Sequence, residues 1–144
     1  EKLKNGYRTI ERIWKKGDRI EIYMDMTTAL IESNPLLEET RGQVAIKRGP
    51  LVYCLESADL PQYKVADVNI IAAIRFKTEE MNIAGGRVMG LVGRTHLRTG
   101  DDWTNKLYKE INKKYKPVTI KLIPYYAWAN RGKTDMRVWF PYIR

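Results

Sequence analysis

Fourteen residues decide the fold, because they predict two strands joined by a tight turn: Gln43-Val44-Ala45-Ile46-Lys47-Arg48-Gly49-Pro50-Leu51-Val52-Tyr53-Cys54-Leu55-Glu56. In the first strand, Val44 and Ile46 share one face. The turn at Arg48-Gly49-Pro50 leads into a run that is apolar on both faces, which is typical of a central strand covered on both sides. This stretch therefore predicts the centre of a β-sheet.

A second hairpin is predicted near the start of the chain. Residues 7–12 and 19–24 alternate between polar and apolar side chains, and the turn-forming residues 15–18 lie between them. One face of the second arm carries three apolar side chains, Ile20, Ile22 and Met24. We therefore expect a hairpin with one buried side.

The remainder of the chain also favours short strands. The candidates are residues 27–32, residues 69–76 and 87–92 on either side of Gly85-Gly86, and a strand marked by Val118, Ile120 and Leu122. For residues 105–115 we predict a strand plus a loop. Many short strands with scarcely any helix predict an all-β antiparallel β-sandwich, or the end of one sandwich followed by a second. Residues 1–144 are interpreted as one such region, with a soft internal boundary near residues 40–49.

The composition is that of an ordinary globular domain, with 44% hydrophobic and 30% charged residues in a chain of 144. No apolar run approaches the roughly 20 residues that a membrane-spanning helix needs, so no membrane partner is predicted. The chain begins with Glu1, and we expect it to be a piece of a longer polypeptide. A single cysteine, Cys54, excludes an internal disulfide or a multi-cysteine metal site within this sequence.

The net charge of +9 makes a basic surface that binds polyanions an alternative function. The basic residues are spread along the chain, and the densest cluster, residues 106–116, interleaves lysines with aromatic and aliphatic residues. We interpret this cluster as a solvated segment whose apolar residues face inward. No RNA-binding or helix-turn-helix signature occurs, so no nucleic-acid partner is predicted.

Candidate catalytic residues are few. His96 is the sole histidine and has no acidic residue at a telling spacing, and Cys54 lies in mid-strand, where a buried small hydrophobe is expected. Three adjacent acidic pairs would point to opposite sides of an extended chain: Glu38-Glu39, Glu79-Glu80 and Asp101-Asp102. We therefore predict no catalytic residue and no metal ligand in this sequence.

An aromatic segment, Ile123 to Gly132, is the remaining candidate site. Its five candidate contact residues are Tyr125, Tyr126, Trp128, Asn130 and Arg131. The aromatic rings could stack on sugar rings while the amide and the guanidinium bond hydroxyl groups. The alternative, which we favour, is that the aromatics are buried in a core or in a domain interface. Asn130 and Gly132 suit a turn, because both tolerate positive φ.

Three stretches together resemble one family: residues 6–18, residues 42–56, and residues 123–132 followed by 136–139. Their order and spacing are similar to the C-terminal region of the β-L-arabinofuranosidase-like glycoside hydrolases of family 127. The resemblance implies an (α/α)6 catalytic barrel followed by β-sandwich domains. It also implies a cysteine nucleophile, a glutamate acid/base and a zinc ion held by cysteines and a glutamate, all in the barrel. Cys54 lies in a sandwich stretch, so none of these roles carries over to this sequence.

The leading functional hypothesis is a non-catalytic β-sandwich portion that buttresses the catalytic barrel of a parent enzyme, with no cofactor of its own. The first alternative is a carbohydrate-binding module in which the aromatic segment binds a plant-type oligosaccharide. The second alternative is the basic polyanion-binding surface. The leading hypothesis and the carbohydrate-binding alternative differ in their expectation for Trp128, which contributes to stability in the former and to sugar binding in the latter.

Overall fold

The computed structural model describes residues 6–100 and 103–144. Within these ranges the chain forms nine β-strands, and its helical structure consists of short 3-10 turns. The strands are β1 (Thr28–Glu32), β2 (Gln43–Arg48), β3 (Leu51–Glu56), β4 (Val68–Ile71), β5 (Phe76–Ile83), β6 (Gly86–Thr99), β7 (Lys114–Pro124), β8 (Met136–Arg137) and β9 (Phe140–Ile143). The predicted all-β class is confirmed. In the part of the chain that is described, no helix has the length and apolar character needed to cross a membrane.

The predicted central hairpin is confirmed as β2 and β3. The two strands are antiparallel, with Ile46 opposite Tyr53 and Arg48 opposite Leu51. Gly49 in the connecting turn has a φ of +56°, a conformation that glycine adopts without steric cost. The Gly49 amide also donates a hydrogen bond of 3.3 Å to the carbonyl of Thr27, which holds the turn against the residue before β1.

One continuous sheet closes on itself. Strands β2, β9, β4, β6, β7 and β3 pair in that order and β3 pairs again with β2, so six strands form a barrel. Strand β1 extends the sheet beside β2, β5 beside β6 and β8 beside β3. The pairing of β4 with β9 is parallel, and the other pairings among the named strands are antiparallel.

The strand pairing does not show the two separate sheets of the predicted sandwich. The reason lies in β3, whose neighbour changes along its length: Val52 lies opposite Lys47 of β2, whereas Cys54 lies opposite Ile123 of β7. Because one strand is shared between both neighbours, the sheet curves without an interruption, as in a barrel. The soft boundary near residues 40–49 stays a prediction.

Two apolar clusters lie on opposite faces of β3, since successive side chains of a strand alternate. Tyr53 and Leu55 belong to the main cluster, which every barrel strand supplies. Cys54 belongs to a second, smaller cluster with Ile83, Val88, Ile123 and Ala127. The expectation that β3 is covered on both sides is therefore confirmed. The second cluster also connects β3 to the aromatic segment, because Ala127 lies within that segment.

The predicted N-terminal hairpin does not form as a pair of strands. Its turn is present, since the Asp18 amide donates to the Lys15 carbonyl at 3.1 Å. Neither arm is part of a strand in the described ranges, however, and Ile20, Ile22 and Met24 are exposed rather than buried. The physical reason is that residues 28–144, as far as they are described, do not cover the apolar face of these arms.

The other predicted strands are found with different bounds. Residues 69–76 divide into β4 and the first residue of β5, while β6 extends well beyond the predicted residues 87–92. The turn between β5 and β6 is Ala84-Gly85, one residue earlier than predicted. Both residues have positive φ, 49° and 82°, as a type I′ hairpin turn requires.

Residues 103–113 form a loop, and β7 begins only at Lys114. The expectation that the apolar residues of this segment face inward is wrong, because Leu107, Tyr108 and Ile111 are strongly exposed. The loop is short of core contacts because it connects the ends of the two longest strands, β6 and β7, beyond their last paired residues.

Gly93 of β6 should not tolerate a side chain. It lies opposite Phe76, and a Cβ at this position would approach the Phe76 ring to 2.8 Å. We expect Gly93→Ala to lower the free energy of unfolding by about 1–3 kcal/mol, since the ring must move. Urea unfolding followed by tryptophan fluorescence measures this loss.

The matched control is Gly86→Ala in the same strand. A Cβ there would meet nothing nearer than the Ile83 carbonyl oxygen at 3.5 Å, so we expect a change within about 0.5 kcal/mol. Equal losses in the two variants would contradict the packing of Phe76 on Gly93.

Candidate functional site

The aromatic segment leaves the barrel at the end of β7. Pro124, the last residue of that strand, lies opposite Tyr53 of β3. A single 3-10 turn then spans Tyr125–Ala127, and Ala127 is buried in the second apolar cluster. The segment is therefore anchored on the barrel at its start, as the proline that ends the ladder predicts.

The large aromatic side chains of this segment lie on the surface. The exposed fractions are 45% for Tyr125, 65% for Tyr126 and 37% for Trp128. The rings of Tyr125 and Trp128 are stacked, with centroids 6.2 Å apart and an interplanar angle of 30°. Among the described residues these rings do not fill a core, so the two remaining interpretations are a ligand platform and an interface with another domain.

Arg131 lies between two carboxylates, those of Glu56 and Asp59. Its Nε donates to Glu56 Oε2 at 2.9 Å, and its Nη1 donates to Asp59 Oδ1 at 2.9 Å. Its Nη2 contacts both carboxylates as well. The two carboxylates raise the pKa of the guanidinium above its already high value, despite partial desolvation of the group. Arg131 is thus occupied by bidentate ion pairs, the strongest geometry for this group.

Glu56 is fully buried at the end of β3. It also accepts hydrogen bonds from the Ala129 amide at 2.8 Å and from the Thr134 hydroxyl at 3.0 Å. Burial alone would raise the pKa of this carboxyl, but the hydrogen bonds from Ala129, Arg131 and Thr134 outweigh it and hold the pKa below its ordinary value. Glu56 is therefore a buried, fully ionised anchor for the segment that follows the aromatic turn.

The turn after the aromatic residues differs from the sequence prediction at one position. Gly132 has the expected positive φ of +97°, but the second left-handed residue is Ala129, at +62°, rather than Asn130. The side-chain amide of Asn130 instead donates to the carbonyls of Ala127 and Trp128, both at 3.2 Å. Asn130 and Arg131 are thus engaged within the chain, and their predicted role in binding hydroxyl groups stays a prediction.

A groove of about 660 Å³ lies beside the aromatic segment. Apolar side chains from three parts of the chain line it, Val52, Tyr125 and Trp139, together with the polar side chains of Glu39 and Gln43. Sequence reasoning missed this groove, because its lining comes from distant parts of the chain. The one signal in the sequence was an aromatic residue, Trp139, which lies in the last of the stretches that resemble the family.

The candidate nucleophile Cys54 is not placed for chemistry. Its side chain is fully buried, and burial, with a further contribution from the charge of Glu56, raises the pKa of the thiol to about 12. The thiolate that a nucleophile requires is therefore not formed at neutral pH. His96 packs its ring near Tyr115, with centroids 6.2 Å apart, at the far end of β6 from the aromatic segment.

The adjacent acidic pairs do not form a common cluster among the described residues, although Glu39 lines the groove. Glu79 accepts a hydrogen bond from Lys121 at 2.7 Å, and Glu80 lies 3.7 Å from Arg87, so both are taken up in surface ion pairs. The pair Asp101-Asp102 lies outside the described residues. Within the described ranges, no group of three or more His, Cys, Asp and Glu side chains could hold a metal ion. These residues do not fit a zinc site of the kind that the resemblance implies for the barrel.

Removal of the Arg131 guanidinium should destabilise the domain strongly. We expect Arg131→Met to lower the free energy of unfolding by about 3–5 kcal/mol, because it leaves the buried charge of Glu56 without its counterion. The matched control is Arg87→Met, which removes an exposed pair and should cost less than about 1 kcal/mol. Urea denaturation of both variants measures the difference, and similar losses would contradict a structural role for Arg131.

The ionisation of Glu56 should make stability depend on acidity. The folded-state pKa is depressed, so the stabilisation is complete above the ordinary pKa of 4.5 and is lost as the pH falls through the lower folded-state value. We expect the urea midpoint to fall on acidification below about pH 4.5, and the fall to be shallower in Glu56→Gln. The surface variant Glu80→Gln should retain the slope of the unsubstituted chain; a slope identical in all three proteins would contradict this assignment.

Comparisons with known proteins place the chain in a family. Residues 28–141 match the sequence model of the glycoside hydrolase family 127 C-terminal domain. A non-reducing end β-L-arabinofuranosidase of Bifidobacterium longum subsp. longum is 34% identical, in an alignment that covers 94% of this chain and 21% of that protein. The chain therefore spans about a fifth of the length of this relative.

Solved structures agree with this assignment. A structure described as a glycoside hydrolase is 45% identical to this chain and superposes with a TM-score of 0.77. The matched region covers 84% of this chain and 20% of the glycoside hydrolase chain. A GH127 β-L-arabinofuranosidase from Geobacillus stearothermophilus T6 is 29% identical to this chain, with a TM-score of 0.72. The matched region covers 82% of this chain and 18% of that arabinofuranosidase. Because the family model matches well over half of the sequence, this chain belongs to glycoside hydrolase family 127, in which it corresponds to the C-terminal domain.

Proposed function

We propose that this chain is a non-catalytic accessory domain of a longer family 127 glycoside hydrolase and that it buttresses a separate catalytic domain. The relatives are more than four times as long as this chain, which leaves room in such a protein for a catalytic domain. The name of the Bifidobacterium relative indicates the reaction of that protein, and we carry it over to the parent as a proposal. On this basis the parent releases L-arabinofuranose from the non-reducing end of a β-linked substrate.

The observation that carries this proposal is that Arg131 forms ion pairs with both Glu56 and Asp59, so that these charged groups are occupied within the domain. A catalytic carboxylate must reach substrate, but Glu56 is fully buried and is neutralised by Arg131. The network instead fixes the backbone that presents Tyr125, Tyr126 and Trp128 to the surface. The domain thus places its charged groups in support of an aromatic surface and not around a reacting bond.

The groups that the family resemblance implies for catalysis are assigned to the parent's barrel. These are the cysteine nucleophile, the glutamate acid/base and the zinc ion with its ligands. The only cysteine of this chain has its thiol pKa raised to about 12 by burial, which supports this division of labour. No step of the reaction is assigned to residues of this chain.

We propose that the aromatic segment and the adjacent groove form the contact with the catalytic domain. Protein interfaces are enriched in Trp and Tyr, which supply large apolar contact area at low cost in conformational entropy. The stacked rings of Tyr125 and Trp128 and the groove beside them supply such a surface. Attachment within one polypeptide raises the effective concentration of the two domains, so a contact of moderate area is sufficient.

The truncation Trp128→Ala tests this contact. We expect its effect on the free energy of unfolding to be at least about 2 kcal/mol larger in the full-length enzyme than in the isolated domain, because the ring is half-exposed in the isolated domain. Urea unfolding of both forms gives the two values. The matched control is Tyr108→Ala, an exposed aromatic in the loop at the other end of β7, which should change both forms equally.

Activity measurements test the rest of the proposed function. The isolated domain should not hydrolyse a chromogenic β-L-arabinofuranoside, whereas the full-length enzyme should. Turnover by the isolated domain would refute the non-catalytic role. An equal effect of Trp128→Ala in both forms would refute the interdomain contact and leave the non-catalytic role standing.

A carbohydrate-binding module is the second candidate, and the stacked Tyr125–Trp128 pair beside a groove with polar side chains favours it. Exposed aromatic faces next to an amide and a carboxylate are the elements of many sugar sites. Titration of the isolated domain with arabinose oligosaccharides, followed by tryptophan fluorescence, separates the two candidates. Saturable binding that is lost in Trp128→Ala, without loss of stability, would favour the module, and a flat titration would remove it.

A further inference from the structure

We infer that the loop between β6 and β7 binds an anionic lipid surface. The described part of this loop, residues 103–113, lies beyond the last paired residues of the two longest strands, Thr99 and Lys114. The aromatic segment begins at the other end of β7, so this contact is independent of the proposed function. Sequence analysis predicts no membrane partner because no apolar run could span a bilayer, but a contact at the membrane surface needs no such run.

The loop presents apolar side chains that the described residues do not cover. Leu107, Tyr108 and Ile111 have exposed fractions of 87%, 91% and 85%. Single apolar side chains are common on protein surfaces, but three of them within one short loop indicate an interaction site. Trp103, which is 46% exposed, belongs to the same loop. Leucine and aromatic side chains of this kind enter the boundary between lipid head groups and acyl chains.

Lysines flank these apolar side chains along the chain. Residues 98–116 contain six basic and three acidic residues, which leaves a net charge of +3 with Asp101 and Asp102 included. Four of the lysines are exposed: Lys106, Lys113, Lys114 and Lys116. Clusters of about four to eight lysines and arginines at a membrane surface are typical of segments that bind anionic lipids. The loop thus combines a basic cluster with exposed apolar side chains.

Two lysines of this region lie against aromatic rings. The Lys109 ammonium is 4.6 Å from the centroid of the Trp103 ring. The Lys116 ammonium is 4.2 Å from the centroid of the Tyr63 ring and donates a hydrogen bond of 2.9 Å to its hydroxyl. Tryptophan and tyrosine prefer the level of the lipid head groups, where a lysine can extend its ammonium towards the polar phase. These pairs therefore place both kinds of side chain at one depth.

The aliphatic side chains decide between a lipid surface and other polyanions. An acidic polysaccharide or a nucleic acid would engage the lysines and the aromatic faces, but neither offers an apolar phase for Leu107 and Ile111. A membrane accepts both components, because lysines approach the anionic head groups while apolar side chains enter beneath them. Membrane anchoring generally combines two signals, such as an apolar group and a basic patch, and the loop supplies both. The complementary charge and the exposed aliphatic residues therefore point to anionic lipid as the occupant.

Sedimentation with lipid vesicles tests this contact in the full-length enzyme and in this chain alone. We expect both to bind vesicles of equal parts phosphatidylserine and phosphatidylcholine at least about 10-fold more tightly than vesicles of phosphatidylcholine, with weaker binding at high salt. Equal binding to the two compositions would overturn the inference. Binding by this chain but not by the full-length enzyme would also overturn it, because another part of the parent would then cover the loop. Binding to soluble polygalacturonate without binding to vesicles would identify an acidic polysaccharide as the ligand instead.

Substitution of the aliphatic residues tests the apolar component. We expect Leu107→Gln combined with Ile111→Gln to weaken binding to the phosphatidylserine vesicles about 10-fold or more, because no apolar side chain then enters the lipid at these positions. Both residues are strongly exposed, so the fold should be unaffected. The matched control is Leu36→Gln, which changes a leucine of similar exposure, 85%, in the connection between β1 and β2. Equal losses in the loop variant and in this control would overturn the assignment to the loop.

Substitution of two lysines tests the basic component. We expect Lys113→Gln combined with Lys114→Gln to weaken binding to the same vesicles about 10-fold or more and to reduce its dependence on salt. The control combines Lys47→Gln with Lys77→Gln, which removes the same charge from exposed positions on β2 and β5. The control should retain the binding. An equal loss in the control would show that the total charge of the chain, rather than this loop, attracts the membrane, and would overturn the inference.

Discussion

The buried carboxylate of Glu56 is the interaction on which the candidate site depends. A carboxylate taken out of water loses several kcal/mol of solvation, which must be recovered by hydrogen bonds and an opposite charge. Here the compensating groups are the Ala129 amide, the Arg131 guanidinium and the Thr134 hydroxyl, which lie 73, 75 and 78 positions later in the sequence. One side chain on the barrel therefore selects the conformation of the whole segment that follows the aromatic turn.

The barrel gives this anchor a fixed position. Strand β3 ends at Glu56, and it pairs with β2, β7 and β8 in succession. Its two faces contribute to two different apolar clusters, and the second cluster includes Ala127 of the aromatic turn. The aromatic rings are thus presented from a backbone that is fixed on both sides of the turn. A surface that is ordered before binding loses less conformational entropy when a partner covers it.

Local pattern in the sequence predicted those parts of the fold that local physics determines. The alternation and the glycine turn between Val44 and Leu55 were sufficient for the central hairpin, and the aromatic segment was correctly placed after a strand. Closure into a barrel was not predictable in this way, because it requires β9 to pair with β2 and β4. The alternation of polar and apolar residues along a strand does not indicate which distant strand will be its neighbour. The same limit applies to Arg131, whose partner Glu56 lies far away in the sequence. Its guanidinium looked free to bind hydroxyl groups only because that partner was not apparent.

The N-terminal segment shows the opposite relation between pattern and structure. Its alternation predicts a buried face, and the turn forms, yet the face is exposed in this chain. A pattern records the environment in which a sequence folds, and this chain spans only about a fifth of the length of the relative that it matches. Neither the exposed apolar side chains of this segment nor the exposed aromatic rings belong to the apolar clusters of the barrel. In the proposed function, the contact that the aromatic surface makes within one polypeptide restricts the orientation of the domain, because the two domains are held at a high effective concentration. Such a restriction of orientation is what an accessory domain requires if it is to support a catalytic domain.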